Sequence, residues 1–219
     1  MITRGDILSN GGFSTVYNGT YNRHDVAIKI MKRNTITDMC YTREIDALTH
    51  LNHPGIPKLY AHFSNDTEHT IVVELMDGFE STEAMGMDKG TLVSLCDVVK
   101  HVHDSGWAHC DIKPENIIAG GDQVGLVDFA FACRKDAPFV MSLGTNGFEA
   151  PEIKDKSTLW QKHDIYALGK TIDELYFGDA SDFTSCPALG RLIKDMTLRN
   201  PIRRPDITSV VDRIKQIQF

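Results

Sequence analysis

Long hydrophobic runs are missing from this sequence: no stretch of about 18 apolar residues occurs that could cross a bilayer as a helix, which excludes a membrane-spanning role. Cysteine is scarce. The five present, Cys40, Cys96, Cys110, Cys133 and Cys186, form no C-x-x-C spacing, which excludes a disulfide framework and a zinc knuckle and fits a reducing compartment. Met1–Asp6 carries no apolar signal core and position two is Ile2, so neither export nor myristoylation is expected and the chain is expected to stay in the cytoplasm. The Asn-x-Thr sequons at Asn18 and Asn65 are then chance. Positive charge is in deficit, 23 Lys and Arg against 30 Asp and Glu for a net −7, which excludes a broad nucleic-acid footprint. There is no internal repeat and no low-complexity segment.

What is present is enough for a sizeable core: 219 residues, 42% hydrophobic and 24% charged. Up to about residue 76 the chain is strand-rich, with short β runs at Thr15–Tyr17, Asp25–Ile30, Leu59–Phe63 and Thr70–Leu75. A helix from about Asp38 to Leu51 interrupts them, placing Ile45, Leu48 and Leu51 on one face before His53-Pro54-Gly55. Beyond Gly78 the period becomes helical, over Thr91–Ser105, Asp164–Phe177, Pro187–Leu198 and Asp206–Ile217. This order predicts an α+β chain of two lobes with a cleft between them as the site.

Several segments carry chemistry. Leu8-Ser9-Asn10-Gly11-Gly12-Phe13-Ser14-Thr15-Val16 reads as a glycine turn between strands, either a plain hairpin or a backbone cradle for phosphate. Val26-Ala27-Ile28-Lys29 ends a strand in a cation that Glu44 on the next helix could fix, either as a surface ion pair or as a phosphate holder. Downstream stand His109-Cys110-Asp111-Ile112-Lys113-Pro114-Glu115-Asn116-Ile117-Ile118, then Asp128-Phe129-Ala130, then Ala150-Pro151-Glu152. His101 and His103, two apart on a helix, do not share a face for a metal. Cys110 is no hydrolase nucleophile, since its His and Asp are merely its sequence neighbours.

In that order the segments resemble the signature set of eukaryotic-type protein kinases: glycine loop, V-A-I-K, H-R-D-x-x-x-x-N, D-F-G and A-P-E. Asp164-Ile165-Tyr166-Ala167-Leu168-Gly169 and Asn200-Pro201-Ile202-Arg203-Arg204-Pro205 resemble two further family segments, so the likeness runs from about residue 8 to 215. It implies one kinase domain over 1–219, with a small β-rich N-lobe at 1–76 holding one helix and a mainly helical C-lobe at 77–219. The form K-P-E-N after Asp111, with Thr145 before Ala150, resembles the Ser/Thr branch. The short chain resembles compact viral or parasite kinases, which for a viral form means the host cytoplasm.

The resemblance also implies roles. Asp111 accepts or orients the substrate hydroxyl proton, Lys113 contacts the γ-phosphoryl group, and Asn116 and Asp128 hold two Mg²⁺. Lys29, steadied by Glu44, holds the α- and β-phosphates of ATP under Ser9, Gly11 and Gly12. Val16, Ala27 and Ile118 enclose the adenine, whose edge the backbone of Glu74 and Met76 reads. His109, Phe129, Leu48 and Leu59 form a packed spine, and Glu152 and Arg204 a buried ion pair. The partner implied is a protein substrate, with Glu80 and Glu115 meeting basic residues upstream of its acceptor.

Departures from the pattern set further expectations. Ser9 and Ser14 replace two loop glycines, Cys110 replaces the arginine before the catalytic aspartate, and Ala130 replaces the glycine after Phe129. Cys110 predicts independence from a phosphate on Ser142, although Arg134 and Lys135 remain as cations. Residues 178–186 are too few for the usual αG helix, which is expected to be reduced or absent. The reading from a different class is a pseudokinase that binds another kinase without transfer; the retained Lys29, Asp111, Asn116 and Asp128 oppose it.

Overall fold

A computed structural model describes residues 1–76, 79–80, 88–120, 123–139, 144–178 and 183–219; for Phe79, Glu80 and Gln123 it describes the backbone alone. The N-terminal part is an antiparallel sheet of β1 (Ile2–Asn10), β2 (Thr15–Tyr21), β3 (His24–Lys32), β4 (Leu59–Ser64) and β5 (Glu68–Glu74), in the order β1-β2-β3-β5-β4. β2 and β3 close on the two-residue turn Asn22-Arg23, both at positive φ (50° and 72°), the geometry whose twist suits a tight hairpin. Val26, Ile28 and Val72 bury themselves between the strands. β1 is exposed at every position, so it carries no alternation to read and is held by its register with β2.

The helix α1 runs Thr35–His50, three residues longer at its start than its apolar spacing suggests. Its start is set by a reciprocal cap. Asn34 Oδ1 accepts from the N–H groups of Ile36 and Thr37 at 2.9 and 3.0 Å, and Thr37 Oγ1 accepts from Asn34 N–H at 2.9 Å. Such a cap is worth about 1 kcal/mol. α1 turns Cys40, Glu44, Ala47 and Leu48 inward, and Cys40 packs with Met31 of β3 and Ile71 of β5.

The rest is mainly helical: α2 (Lys89–Asp104), α3 (Trp160–Phe177), α4 (Pro187–Met196) and α5 (Ile207–Gln216) share one core that includes Leu92, Val99, Leu168, Leu192 and Ile214. Each such side chain contributes about 1.5–3 kcal/mol on burial. Gly169 permits the approach of α3 to α4, where a Cβ would stand 2.9 Å from Met196 Cβ. Short strands bind the loops beneath the sheet: β6 (Phe79–Glu80), β8 (Ile117–Gly120) and β9 (Gln123–Leu126) form one set, β7 (Trp107–Ala108) and β10 (Cys133–Arg134) another. α3 begins at Trp160 rather than Asp164, because the Trp160 ring is buried and its Nε1–H donates to Ala137 O at 2.8 Å. Of the residues between α3 and α4, 183–186 form a turn and no helix, while 179–182 lie outside the described residues. The α+β order expected from the sequence is the observed one.

Candidate active site

A solvent-open cleft lies against the sheet. Leu8, Ser9, Val16, Ala27 and Lys29 line it from β1–β3, Glu44 from α1, Glu74, Leu75 and Met76 from the end of β5 and the residues after it, Ile118 from β8, and Glu115, Asn116, Val127 and Asp128 from the segments flanking β8 and β9. Apolar side chains thus flank one end and ionised groups occupy the other.

At the polar end Lys29 Nζ donates to Glu44 Oε2 at 2.7 Å and to Asp128 Oδ1 at 2.6 Å. Burial opposes the Lys29 charge, yet the Asp128 and Glu44 carboxylates outweigh it and hold its pKa above the ordinary lysine value. Burial pushes the Glu44 carboxyl up while Lys29 draws it back. Asp128 remains below the usual carboxylate value because Lys29 more than offsets its desolvation, and its side chain is 40% exposed toward solvent. Asp128 sits at φ 62°; the positive φ falls on the aspartate and Ala130 avoids it, so the missing glycine costs nothing in this arrangement.

The loop carrying Asp111 hangs from Asp164 at the buried start of α3. Asp164 accepts from the N–H groups of His109 and Cys110 at 2.7 and 2.8 Å and from His103 Nε2 at 3.0 Å. Burial would raise the Asp164 pKa, but the bond from His103 and the neighbouring imidazoles hold it low and the group ionised. These bonds keep Cys110 at φ 67°, a conformation costing about 1–2 kcal/mol for a residue with a Cβ. His109 is fully buried, stacks edge-on against Phe129 at 4.7 Å and donates from Nε2 to Val127 O, so it packs and bonds as expected.

Asp111 draws three polar side chains onto itself. Thr145 Oγ1 donates to its Oδ1 at 2.8 Å, Asn116 Nδ2 donates to its carbonyl at 2.8 Å and to Oδ2 at 3.2 Å, and Lys113 Nζ stands 3.2 Å from Oδ2. Lys113 also donates to Thr145 Oγ1 at 2.7 Å.

The fold therefore gathers Ser9, Val16, Ala27, Lys29, Glu44, Glu74, Met76, Asn116, Ile118 and Asp128 around one cleft. Asp111 lies beside it, lining a smaller pocket with Thr145. Gly11 and Gly12 do not join that wall; they line a separate depression with Phe13, Lys32 and Thr37. Sequence reasoning left out Leu8, Pro57, Ile71, Val73 and Val127 from the lining, since an apolar wall residue has no signature apart from its neighbours. The bridging of Asp111 and Lys113 by Thr145 was equally hidden, 34 residues from Asp111. The side chain of Glu80 and all of Ser142 lie outside the described residues.

A five-stranded antiparallel sheet with one helix and a helical remainder, with an ion-paired lysine and a hydrogen-bonded aspartate at its cleft, defines a kinase-type domain. The chain belongs to the protein kinase domain family, whose sequence model matches residues 2–185. It is similar to the probable serine/threonine-protein kinase pXi of Dictyostelium discoideum, 30% identical over 181 residues, covering 75% of this chain and 26% of that protein. It is also similar to the serine/threonine-protein kinase TIO of Arabidopsis thaliana, 28% identical over 218 residues, covering 92% of this chain and 16% of that one. The Aurora kinase of Dictyostelium discoideum is 28% identical over 200 residues, covering 83% of this chain and 51% of that protein. The chain thus spans between about a sixth and a half of the length of these relatives.

Proposed function

We propose that this chain is a serine/threonine protein kinase, a single two-lobed domain over 1–219 that transfers the γ-phosphoryl group of Mg-ATP to a protein hydroxyl. The observation that carries the reading is the hydroxyl of Thr145 donating to Asp111 Oδ1 at 2.8 Å while accepting from Lys113. An alcohol can thus be held against Asp111 with a cation beside it, which is what an acceptor serine or threonine requires. In this reading Asp111 orients the acceptor and takes its proton, Lys113 offsets charge on the transferring group, and Lys29 holds the α- and β-phosphates. The Glu74 N–H is bonded to Lys58 O at 2.9 Å, so Glu74 offers its carbonyl, and Met76 its backbone, to the adenine edge between Val16, Ala27 and Ile118. Ser9, Gly11 and Gly12 belong to the loop over the phosphates.

The donor set suits magnesium arriving with the nucleotide. Asp128 and the Asn116 amide oxygen are hard oxygen donors, and among the described residues no group of three or more His, Cys, Asp or Glu could hold a metal by itself. That matches an ion whose remaining ligands are phosphate oxygens and water. When bound, magnesium neutralises phosphate charge.

The substrate proposed is a protein with basic residues upstream of the acceptor, met by the exposed Glu115 at the cleft and by Glu80. No helix among the described residues is long and apolar enough to cross a membrane, and the location proposed is the cytoplasm. The test incubates purified protein with Mg²⁺, γ-labelled ATP and a mixed protein substrate. Asp111→Asn is expected to lower incorporation by about 10²–10⁴, and equal incorporation in the variant and the parent would end the assignment. A peptide array should show a preference for upstream Arg or Lys that weakens in Glu115→Ala.

A further inference from the structure

Two thiols meet beside the catalytic loop. Cys110 Sγ and Cys133 Sγ are 3.5 Å apart across 23 residues of sequence. Cys110 immediately precedes Asp111, and Cys133 opens β10, shortly after Asp128. The β7–β10 ladder brings them together by setting Cys133 opposite Ala108, two residues before Cys110. Cys40, Cys96 and Cys186 are buried elsewhere in the core.

We propose that Cys110 and Cys133 form a redox-modification site, which hydrogen peroxide converts to an intrachain disulfide that reversibly slows phosphoryl transfer. The effect on rate rests on the kinase reading above; the chemistry of the pair does not.

Access separates the two roles. Cys110 is the less buried of the two and lines a narrow pocket with Asp111, Gly144, Thr145, Glu149 and His163. Cys133 is 5% exposed and packed with Ala108 and Trp160. Peroxide therefore meets Cys110 first. The bond to Cys133 and burial raise the Cys110 thiol pKa, so this thiol rests protonated and reacts only as its proton is drawn off. His163 lines the same pocket; neither of its ring nitrogens makes a hydrogen bond, Nε2 stands 3.4 Å from Glu152 Oε1, and burial keeps the ring neutral.

The steps balance. The Cys110 thiol gives up its proton and its sulfur attacks one peroxide oxygen; an S–O bond forms, the O–O bond breaks, and the leaving hydroxide takes the proton as water. Cys133 sulfur then attacks the sulfenic sulfur; the S–S bond forms, the S–O bond breaks, and the second hydroxide leaves as water with the Cys133 proton. Two thiols and one peroxide become one disulfide and two waters.

A disulfide needs its sulfurs about 2 Å apart, so the pair must close by roughly 1.5 Å. Little slack exists for that, because Cys110 N–H is tied to Asp164 at 2.8 Å and its φ is already 67°. Strain passes to Asp111, one peptide bond away, and a 1 Å misplacement of a reacting group can cost about 10²-fold in rate.

The test treats the full chain with hydrogen peroxide, maps non-reduced peptides by mass, and assays transfer before oxidation, after it and after dithiothreitol. Expected are a Cys110–Cys133 linked peptide lighter by two hydrogens, a kcat at least tenfold lower, a KM for ATP within about twofold, and recovery on reduction. Cys133→Ala, with Cys133→Ser as the alternative should that variant not fold, should lose the linked peptide and the sensitivity to peroxide while keeping basal activity. Absence of the linked peptide, or its presence with an unchanged rate, overturns the proposal. Should the reduced protein transfer no phosphate at all, the kinase reading fails, and the peptide map alone still decides whether the disulfide forms.

Discussion

Lys29 Nζ lies 2.6 Å from Asp128 Oδ1, although 99 residues separate the two in the chain. The contact joins β3 of the sheet to the loop before β10, with Glu44 of α1 completing it at 2.7 Å. A cation shared between two carboxylates leaves net negative charge at the back of the cleft, which a divalent cation and phosphates can balance.

The first prediction concerns this ion pair. Lys29→Met should abolish measurable transfer and leave Glu44 as an unpaired buried carboxylate, so Glu44→Gln in the same background should recover part of the lost stability. The thermal midpoint of the single and double variants checks this. A double variant no more stable than Lys29→Met would show that the pair carries no stability.

Thr145 gives the second. Thr145→Val keeps the volume and removes the hydroxyl between Lys113 and Asp111; a hydrogen bond to a charged group is worth about 1.5–3 kcal/mol, so kcat should fall about 10- to 100-fold. The KM for ATP should be unaffected and Thr145→Ser should restore most of the rate. Steady-state kinetics of both variants are the measurement.

A third prediction concerns Arg204, which is 2% exposed and grips Glu152 through Nη1 and Nη2 at 2.6 and 2.7 Å. Removing one partner strands a buried charge, so Arg204→Met should cost about 3–5 kcal/mol. At about 2–4 °C per kcal/mol for a chain of this size, that lowers the thermal midpoint by roughly 6–20 °C. Differential scanning calorimetry reads it directly.

Stability should also weaken in mild acid. Burial lowers the pKa of His163 and of His53 below the ordinary histidine value. As pH falls below about 6.5 the unfolded chain takes up these protons before the folded one does, which favours unfolding by up to about 1.4 kcal/mol per pH unit for the buried His163 and by less for the more exposed His53, whose charge solvent screens. Urea midpoints at pH 7.5 and 5.5 should differ, and His163→Gln should narrow the difference.

The last prediction is that transfer does not wait for phosphorylation of the segment containing Ser142. Cys110 offers no fixed charge to a phosphate, and the Arg134 guanidinium is stacked over the Trp107 ring at 4.5 Å. Phosphatase-treated protein, verified by intact mass, should show initial rates within about twofold of untreated protein. A lag that vanishes with autophosphorylation would show that another cation, Lys135 foremost, receives a phosphate there.

Much of this was legible in the residues. The helices α2, α4 and α5 begin and end within three residues of their apolar spacing, because a helix that buries one face must repeat that face every three or four positions. The order of the charged and glycine segments was legible too, since phosphate and magnesium chemistry accepts few substitutes for lysine, aspartate and asparagine. β1 was not: with every residue exposed, it has no buried face to impose a pattern. Nor was the start of α1, set by Asn34, or that of α3, set by the ring of Trp160.

What the sequence alone determined is the set of reactive groups and the local periods that fold each element. Tertiary structure decided which groups meet: Lys29 with Asp128, Thr145 with Asp111, and Cys110 with Cys133, at separations of 99, 34 and 23 residues. It also decided that Gly11 and Gly12 stand off the cleft that Ser9 lines. Such meetings depend on strand register and on how helices seat against the sheet, and a one-residue slip in register turns every side chain to the opposite face while leaving composition and local spacing unchanged.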